Sequence, residues 1–269
     1  MLENLQANIC FIGTNSLSLA FLDCLIKRGL RSERIKIIDN EIFTDKNLQK
    51  QKQTILKKTD IVILLLAPEN LKNTSGSLKK WLANKVILSM MAGVDIARVE
   101  KLTGSKKVVR IISNPPVLTH TGTHVLISSE EIEQLDKDLI ETLYSATGKV
   151  FWAPSEIQAD AIIALSGSGP AYFFYILDSM IKAGVALGLD KQFALDLALQ
   201  SASGAVEMVR KTNVPPADLC GKVTVNNGIT ESAIRMFDLG NVSDDICLAM
   251  KAAYHRSREI TTEIIAKVG

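Results

Sequence analysis

Apolar residues in the first half of the chain fall in short blocks separated by polar, helix-periodic stretches. "NICFI" (8–12), "IKIID" (35–39), "DIVILLL" (60–66), "KVILSM" (85–90) and "KVVRIIS" (107–113) have strand length and are rich in β-branched residues. "DIVILLL" is apolar almost throughout, as a strand covered on both faces should be. Between them, Leu17 to Arg28 repeats apolar positions at three and four and meets Gly29 as a stop. The basic stretch 45–60, the end of "NLKNTSGSLKKWLA" and "DIARVEKLTG" predict further helices. "THVLISS", a helix over Glu130 to Thr147 and "KVFWA" complete the series. Repeated strand–helix units with short connections predict an α/β fold with a mostly parallel, doubly wound sheet.

After Pro154 the pattern changes. "SEIQADAIIALSGSGPAYFFYILDSMIKAGVALGL" is helical at both ends and broken around Gly167–Pro170. Two long amphipathic stretches follow, with "DLCGKVTVNNGITES" between them. No strand alternation is evident, so the chain divides into residues 1–153, Rossmann-like, and residues 154–269, all-helical.

Composition narrows the picture. With 269 residues, 47% apolar and 22% charged, the chain is soluble and has a sizeable core. A formal charge of +2 calls for no nucleic-acid partner. The longest apolar run, residues 61–68, is too short to span a bilayer, so no membrane partner is expected. The start has no basic n-region and no small-residue cleavage site. Four scattered cysteines without a C-x-x-C pair suit free thiols in a reducing cytoplasm. His120, His124 and His255 have no ligand-spaced partners, so no metal is expected.

The first candidate chemistry is the turn Gly13-Thr14-Asn15-Ser16-Leu17-Ser18. It stands where a dinucleotide fold places G-x-G-x-x-G or G-x-G-x-x-A, and only its first glycine remains. Asn15 holds the second position, where its side chain intrudes on the phosphate, and Ser18 is small enough to pack at the third. The turn alone leaves open a dinucleotide site or a plain connection. Asp39 ends the second strand, where an acid accepts from ribose hydroxyls. The basic helix beyond it could instead meet a 2′-phosphate. "LSGSGPAYFF" lacks the G-x-S-x-G of a hydrolase, and its glycines suit a tight helix crossing. Phe173, Phe174 and Tyr175 suit a core or a subunit interface. "NNGIT" can turn successive backbone N–H groups toward a carboxylate, or can be a simple interhelical loop.

Taken together, these stretches resemble the pyrroline-5-carboxylate reductases. "ALSGSGPAYFFYILDSMIKAGVALGL" is the most specific match. "VVRIISNPP" stands for V-x-R-x-M-P-N-T-P, "SMMAGV" for S-x-A-A-G-V and "LYSATGKVFWA" for the L-F-x-x-x-G pattern. "PPADLCGKVTVNNGIT" stands for H-P-x-x-L-x-x-x-V-x-S-P-G-G-x-T. The resemblance runs in order along nearly the whole chain. It implies reduction of a cyclic imino acid to proline with NADPH or NADH, by a Rossmann domain followed by a helical substrate-binding and dimerisation domain. It also implies a homodimer, which some members build into larger rings.

By resemblance, the dinucleotide lies against Gly13, Thr14, Asn15, Ser16 and Leu17, against Asp39 and Asn40, and against Leu66, Ala67 and Pro68. Ala92, Gly93, Asn114 and Pro115 complete its surroundings. The imino acid lies against Val225, Asn226, Asn227 and Gly228, and Thr230 hydrogen-bonds the ring nitrogen as the catalytic residue. The departures are Asn15 for glycine, Ser16 for asparagine, Ala67 for lysine, Pro116 for threonine and Val225-Asn226-Asn227 for S-P-G. They keep two alternatives in view: a reductase of another imine or keto acid, and a binding protein without catalysis.

Overall fold

The computed structural model describes residues 2–38, 49–66 and 79–268. Its strands are β1 (Ile9–Ile12), β2 (Ile35–Ile38), β3 (Ile61–Leu64), β4 (Val86–Ser89), β5 (Val108–Ser113), β6 (Gly122–Ser128) and β7 (Gly148–Trp152). β1 to β5 lie within the apolar blocks read from the sequence, and β6 and β7 each begin one residue before theirs, at Gly122 and Gly148. They form one seven-stranded sheet in the order β2-β1-β3-β4-β5-β6-β7. Neighbours are parallel except β5 and β6, where Ser113 faces His124 in antiparallel register. The link between those two is only the short 3-10 turn Pro115–Thr119, too brief for the helical crossover that a parallel pair needs.

Alternation along the strands sends side chains to two cores. Ile9, Phe11, Ile61, Ile63, Val109 and Ile111 face one side, where Phe21 and Leu25 of α1 (Ser16–Lys27) and Ile140 and Leu143 of α4 (Gln134–Tyr144) cover them. Cys10, Ile12, Val62, Leu64 and Ile87 face the other side. There Leu56 of α2 (Gln49–Lys57), Val99 and Leu102 of α3 (Ile96–Thr103) and Ile264 pack on them. Both faces are buried, which is why the central strands carry no polar alternation.

Helix α5 runs over Glu156–Ala186. The break expected near Gly167–Pro170 is a π-turn at Ile163–Gly167, after which the helix resumes at Gly169. Then follow α6 (Lys191–Thr212), α7 (Pro216–Val223), α8 (Ile229–Leu239) and α9 (Val242–Val268). By length and composition alone α5 could cross a bilayer. An uninterrupted apolar run was therefore too narrow a criterion.

The chain forms two compact units. The first is Met1–Ser168 with Ala253–Gly269, and the second is Gly169–Ala252. The first part of α5 and the end of α9 thus belong to the sheet's unit. In that unit Ser257 Oγ donates to Asp160 Oδ1 at 2.6 Å, and Ile264 reaches the second core. The second unit is helical. Its Phe173, Phe174, Tyr175, Leu187 and Phe237 are exposed and are not a core of the single chain.

Candidate active site

In open α/β sheets, ligands bind beyond the carboxyl ends of the strands, where the strand order reverses. Here β1 pairs with β2 on one side and β3 on the other, so the reversal lies at β1. Gly13, Leu66, Ala92-Gly93 and Asn114-Pro115 follow the ends of β1, β3, β4 and β5. They share that edge of the first unit. Asp39, Asn40, Ala67 and Pro68 lie outside the described residues.

The Gly13 turn leads directly from β1 into α1. Gly13 takes φ 78, which a side chain would strain, and its N–H donates to Ile38 O at 2.9 Å. Asn15 caps α1 in extended conformation, with φ −143 and ψ 175. Its Oδ1 accepts the Ser18 amide at 2.9 Å, and its own amide donates to Ser18 Oγ at 2.9 Å. Ser18 is buried, as a residue in the third fingerprint position should be. The Ser16 amide has no partner among the described residues, as first-turn amides of a helix lack an intrahelical acceptor. This free donor, and the positive end of the α1 dipole, fit a pyrophosphate. The Asn15 side chain competes for one further amide.

The other residues at this edge differ in burial and bonding. Leu66 is buried in the second core. Gly93 has φ 68, and a Cβ on it would stand 2.5 Å from Ile264 Cδ1, so α9 packs directly on this turn. Ala92 beside it is exposed. Asn114 is buried, with both ends of its amide used. Oδ1 accepts Thr123 N–H at 2.8 Å and Nδ2 donates to Ser166 O at 3.1 Å. Buried Arg110 on β5 pairs with Glu156 at 2.9 Å, and Glu156 also accepts the Ile96 amide that opens α3 at 3.0 Å. Ser89, at the end of β4, has a buried hydroxyl without a partner among the described residues. Neither the Arg110–Glu156 pair nor the Asn114–Ser166 bond was read from the sequence. Their members are far apart along the chain, and no local pattern joins them.

In the second unit, the loop before α8 is a tight turn. Gly228 N–H donates to Val225 O at 2.9 Å, and Asn227 takes φ 57. That is the third position of a type II turn, where glycine or asparagine is favoured, so Asn227 keeps the turn that a glycine would make. The Asn227 amide donates to Glu231 Oε2 at 2.6 Å, so a carboxylate of the chain itself occupies part of the expected anion nest. Gly228 opens α8 without a side-chain cap. The amides of Ile229 and Thr230 therefore remain open, as first-turn amides of a helix do. Thr212, Thr224 and Thr262 each donate their hydroxyl to the carbonyl one turn back. The exposed Thr230 hydroxyl has no partner among the described residues. Val225 and Asn226 are exposed in the same loop.

Burial holds three ionisable groups in their neutral forms. Burial lowers His124 to about 4, and both ring nitrogens are bonded, to Ser113 Oγ at 2.7 Å and Thr147 Oγ1 at 2.9 Å. Burial pushes the Cys10 thiol up to about 12 and raises Tyr144 well above its usual range. No cluster of potential metal ligands occurs among the described residues.

A doubly wound sheet with a glycine turn into a helix at its reversal point, joined in sequence to a helical unit, is the arrangement of two-unit nicotinamide-type oxidoreductases. The family model "Pyrroline-5-carboxylate reductase dimerisation" matches residues 156–260. The pyrroline-5-carboxylate reductase of Pseudomonas aeruginosa is 31% identical, over 95% of this chain and 97% of its own. That of Haemophilus influenzae is 30% identical over 94% and 97%. The solved pyrroline-5-carboxylate reductase from Coxiella burnetii superposes with TM-score 0.81 at 30% identity, covering 95% of this chain and 98% of that one. The chain belongs to the pyrroline-5-carboxylate reductase family.

Proposed function

We propose that Thr230 and the open first turn of α8 hold the imino acid in this chain, and that the Gly13 turn holds the dinucleotide. The reaction is reduction of L-1-pyrroline-5-carboxylate to L-proline with NAD(P)H, as family membership entails. The observation that carries the residue assignment is the free Thr230 hydroxyl beside the uncapped α8 amides.

When bound, NAD(P)H supplies the hydride. A protonated cyclic imine is already electrophilic at carbon, so the chain's task is to place it and to exclude water, not to supply a strong acid. Ile229 and Thr230 donate backbone N–H groups to the substrate carboxylate, aided by the helix dipole. Thr230 Oγ1 hydrogen-bonds the ring nitrogen and orients the ring. Ser16 and Leu17 donate amides to the pyrophosphate, with Thr14 and Asn15 lining the same turn. Ala92, Gly93 and Pro115 shape the edge next to it, and Asp39, Asn40, Ala67 and Pro68 complete the cofactor surroundings. Val225, Asn226, Asn227 and Gly228 form the turn that aims α8.

The chain works as a homodimer. Its exposed apolar residues from Phe173 to Phe237 lie within the stretch matched by the dimerisation model. This supports placing the apolar surface of α5 against a second subunit and not in a bilayer. Larger rings of dimers, a cytoplasmic location suited to four free thiols, and a division of labour at residue 154 belong to the same reading. The test is a spectrophotometric assay of NADH and NADPH consumption with pyrroline-5-carboxylate. Turnover that Thr230→Val abolishes supports the assignment. No consumption of either dinucleotide would remove it.

A further inference from the structure

We propose that Asn114 is a positioning residue, tying the Pro115 turn to the π-turn of α5 through the Ser166 carbonyl, and not a ligand of the dinucleotide. The inference rests on the reading that the Asn114-Pro115 stretch adjoins the nicotinamide. Asn114 is only 6% exposed. Thr123 N–H can only donate and Ser166 O can only accept, so the amide orientation is fixed by its partners. The side chain thus has one orientation, anchored at β6 and at α5.

The sequence explains why the Ser166 carbonyl is free to accept. In an α-helix its donor would be the amide of residue 170, and Pro170 has none. The π-turn at Ile163–Gly167, closed by Ser168 N–H to Ile163 O at 2.9 Å, is where that missing donor falls. Asn114 supplies the replacement from β5's end. "SNPP" and "SGSGP" are therefore one device: proline removes a donor from α5, and asparagine returns it from the sheet edge. π-turns of this kind recur at functional sites. Here its effect is to fix the start of the Pro115–Thr119 turn.

The test is a double-mutant cycle on the full-length dimer, with Asn114→Ala, Pro170→Ala and the pair, read by calorimetric binding of NADPH and NADH and by KM and kcat. Alanine at 170 restores an amide for Ser166 O. Asn114→Ala should weaken dinucleotide binding about tenfold in the parent and less than about threefold with Pro170→Ala present. Asn114→Asp keeps the acceptor for Thr123 N–H but sets a carboxylate oxygen against the Ser166 carbonyl, so it should bind at least as weakly as Asn114→Ala, and the melting temperature of each variant separates lost binding from lost folding. Equal losses in both backgrounds would mean that Asn114 meets the ligand directly. No loss in either would mean that the tie is irrelevant to binding. Both results overturn the inference while leaving the reductase reading intact. A parent chain that binds neither dinucleotide overturns both.

Discussion

Asn15 and Ser18 cap each other across the first turn of α1, each accepting the other's backbone amide at 2.9 Å. The capping box satisfies the turn from within and takes the Ser18 amide away from any ligand. A cap of this kind contributes about 1 kcal/mol, and glycine in its place costs only a few tenths. Asn15→Gly should therefore tighten dinucleotide binding by up to about fivefold with little change in stability. Asn15→Ala, which the extended φ of −143 accommodates, should also tighten binding but cost about 1 kcal/mol of stability. Calorimetry with both dinucleotides checks this. Weaker binding in both variants would show that the Asn15 side-chain carboxamide itself serves the ligand.

Glu156 joins the start of α5 to β5 and α3. Its carboxylate takes Arg110 at 2.9 Å and the Ile96 amide at 3.0 Å. Removing one partner of a buried pair typically costs about 3–5 kcal/mol. The Glu156 side chain is 29% exposed, so Arg110→Met should cost less, about 2 kcal/mol. Glu156→Gln keeps an acceptor for both donors but leaves the Arg110 guanidinium, the more buried member, without its counter-charge, and should cost at least as much, about 2–3 kcal/mol. Urea unfolding of the dimer at fixed protein concentration measures both. A glutamine variant as stable as the parent would contradict the arrangement.

What was legible in the sequence was what local pattern determines. The central strands announce themselves because both sheet faces are buried there, and Asn227 at φ 57 is a residue type that tolerates that backbone. The antiparallel β5–β6 pair was written in the lack of a helical stretch between residues 113 and 122, though the strand pattern alone does not state it. The continuous α5 was missed because Gly167 and Pro170 are ordinarily breakers, and a π-turn with an outside donor absorbs them here. Asn15 was read as a turn residue ahead of α1, and its pairing with Ser18 depends on a serine at a place where capping boxes usually have Glu or Gln. The Arg110–Glu156 and Asn114–Ser166 contacts are tertiary, and only the folded chain brings them together.

The Glu231–Asn227 bond yields a third prediction. Where the family pattern has Pro-Gly, which is pre-set for the turn, this chain has Asn-Asn, which is not. The 2.6 Å bond from the Asn227 amide to Glu231 Oε2 takes over that restraint. Glu231→Ala should raise KM for the imino acid about fivefold and leave KM for the dinucleotide unchanged. Glu231→Gln, which still accepts from Asn227, should stay within about twofold of the parent. If both variants lower KM, the carboxylate opposes the anionic substrate electrostatically and does not hold the loop.

His124 makes stability depend on pH. Thr147 Oγ1 donates its one hydrogen to Tyr144 O at 3.1 Å, so it must accept from His124 Nε2–H. Ser113 Oγ then donates to Nδ1 at 2.7 Å, and the ring is neutral. The aromatic neighbours Phe21 and Tyr144 are uncharged, and burial lowers the imidazole from 6.5 to about 4. Between those values the unfolded chain binds a proton that the folded chain does not. The contribution is therefore complete above about pH 6.5, falls as pH drops towards 4, and changes no further below it. Its full size is about 3 kcal/mol. The carboxylates titrate in part of the same range, so the measurement is the difference between parent and His124→Gln in urea unfolding at pH 7 and pH 4.5. The parent should lose more stability than the variant by about 2 kcal/mol. Parallel losses would mean that the buried ring does not carry this pH dependence.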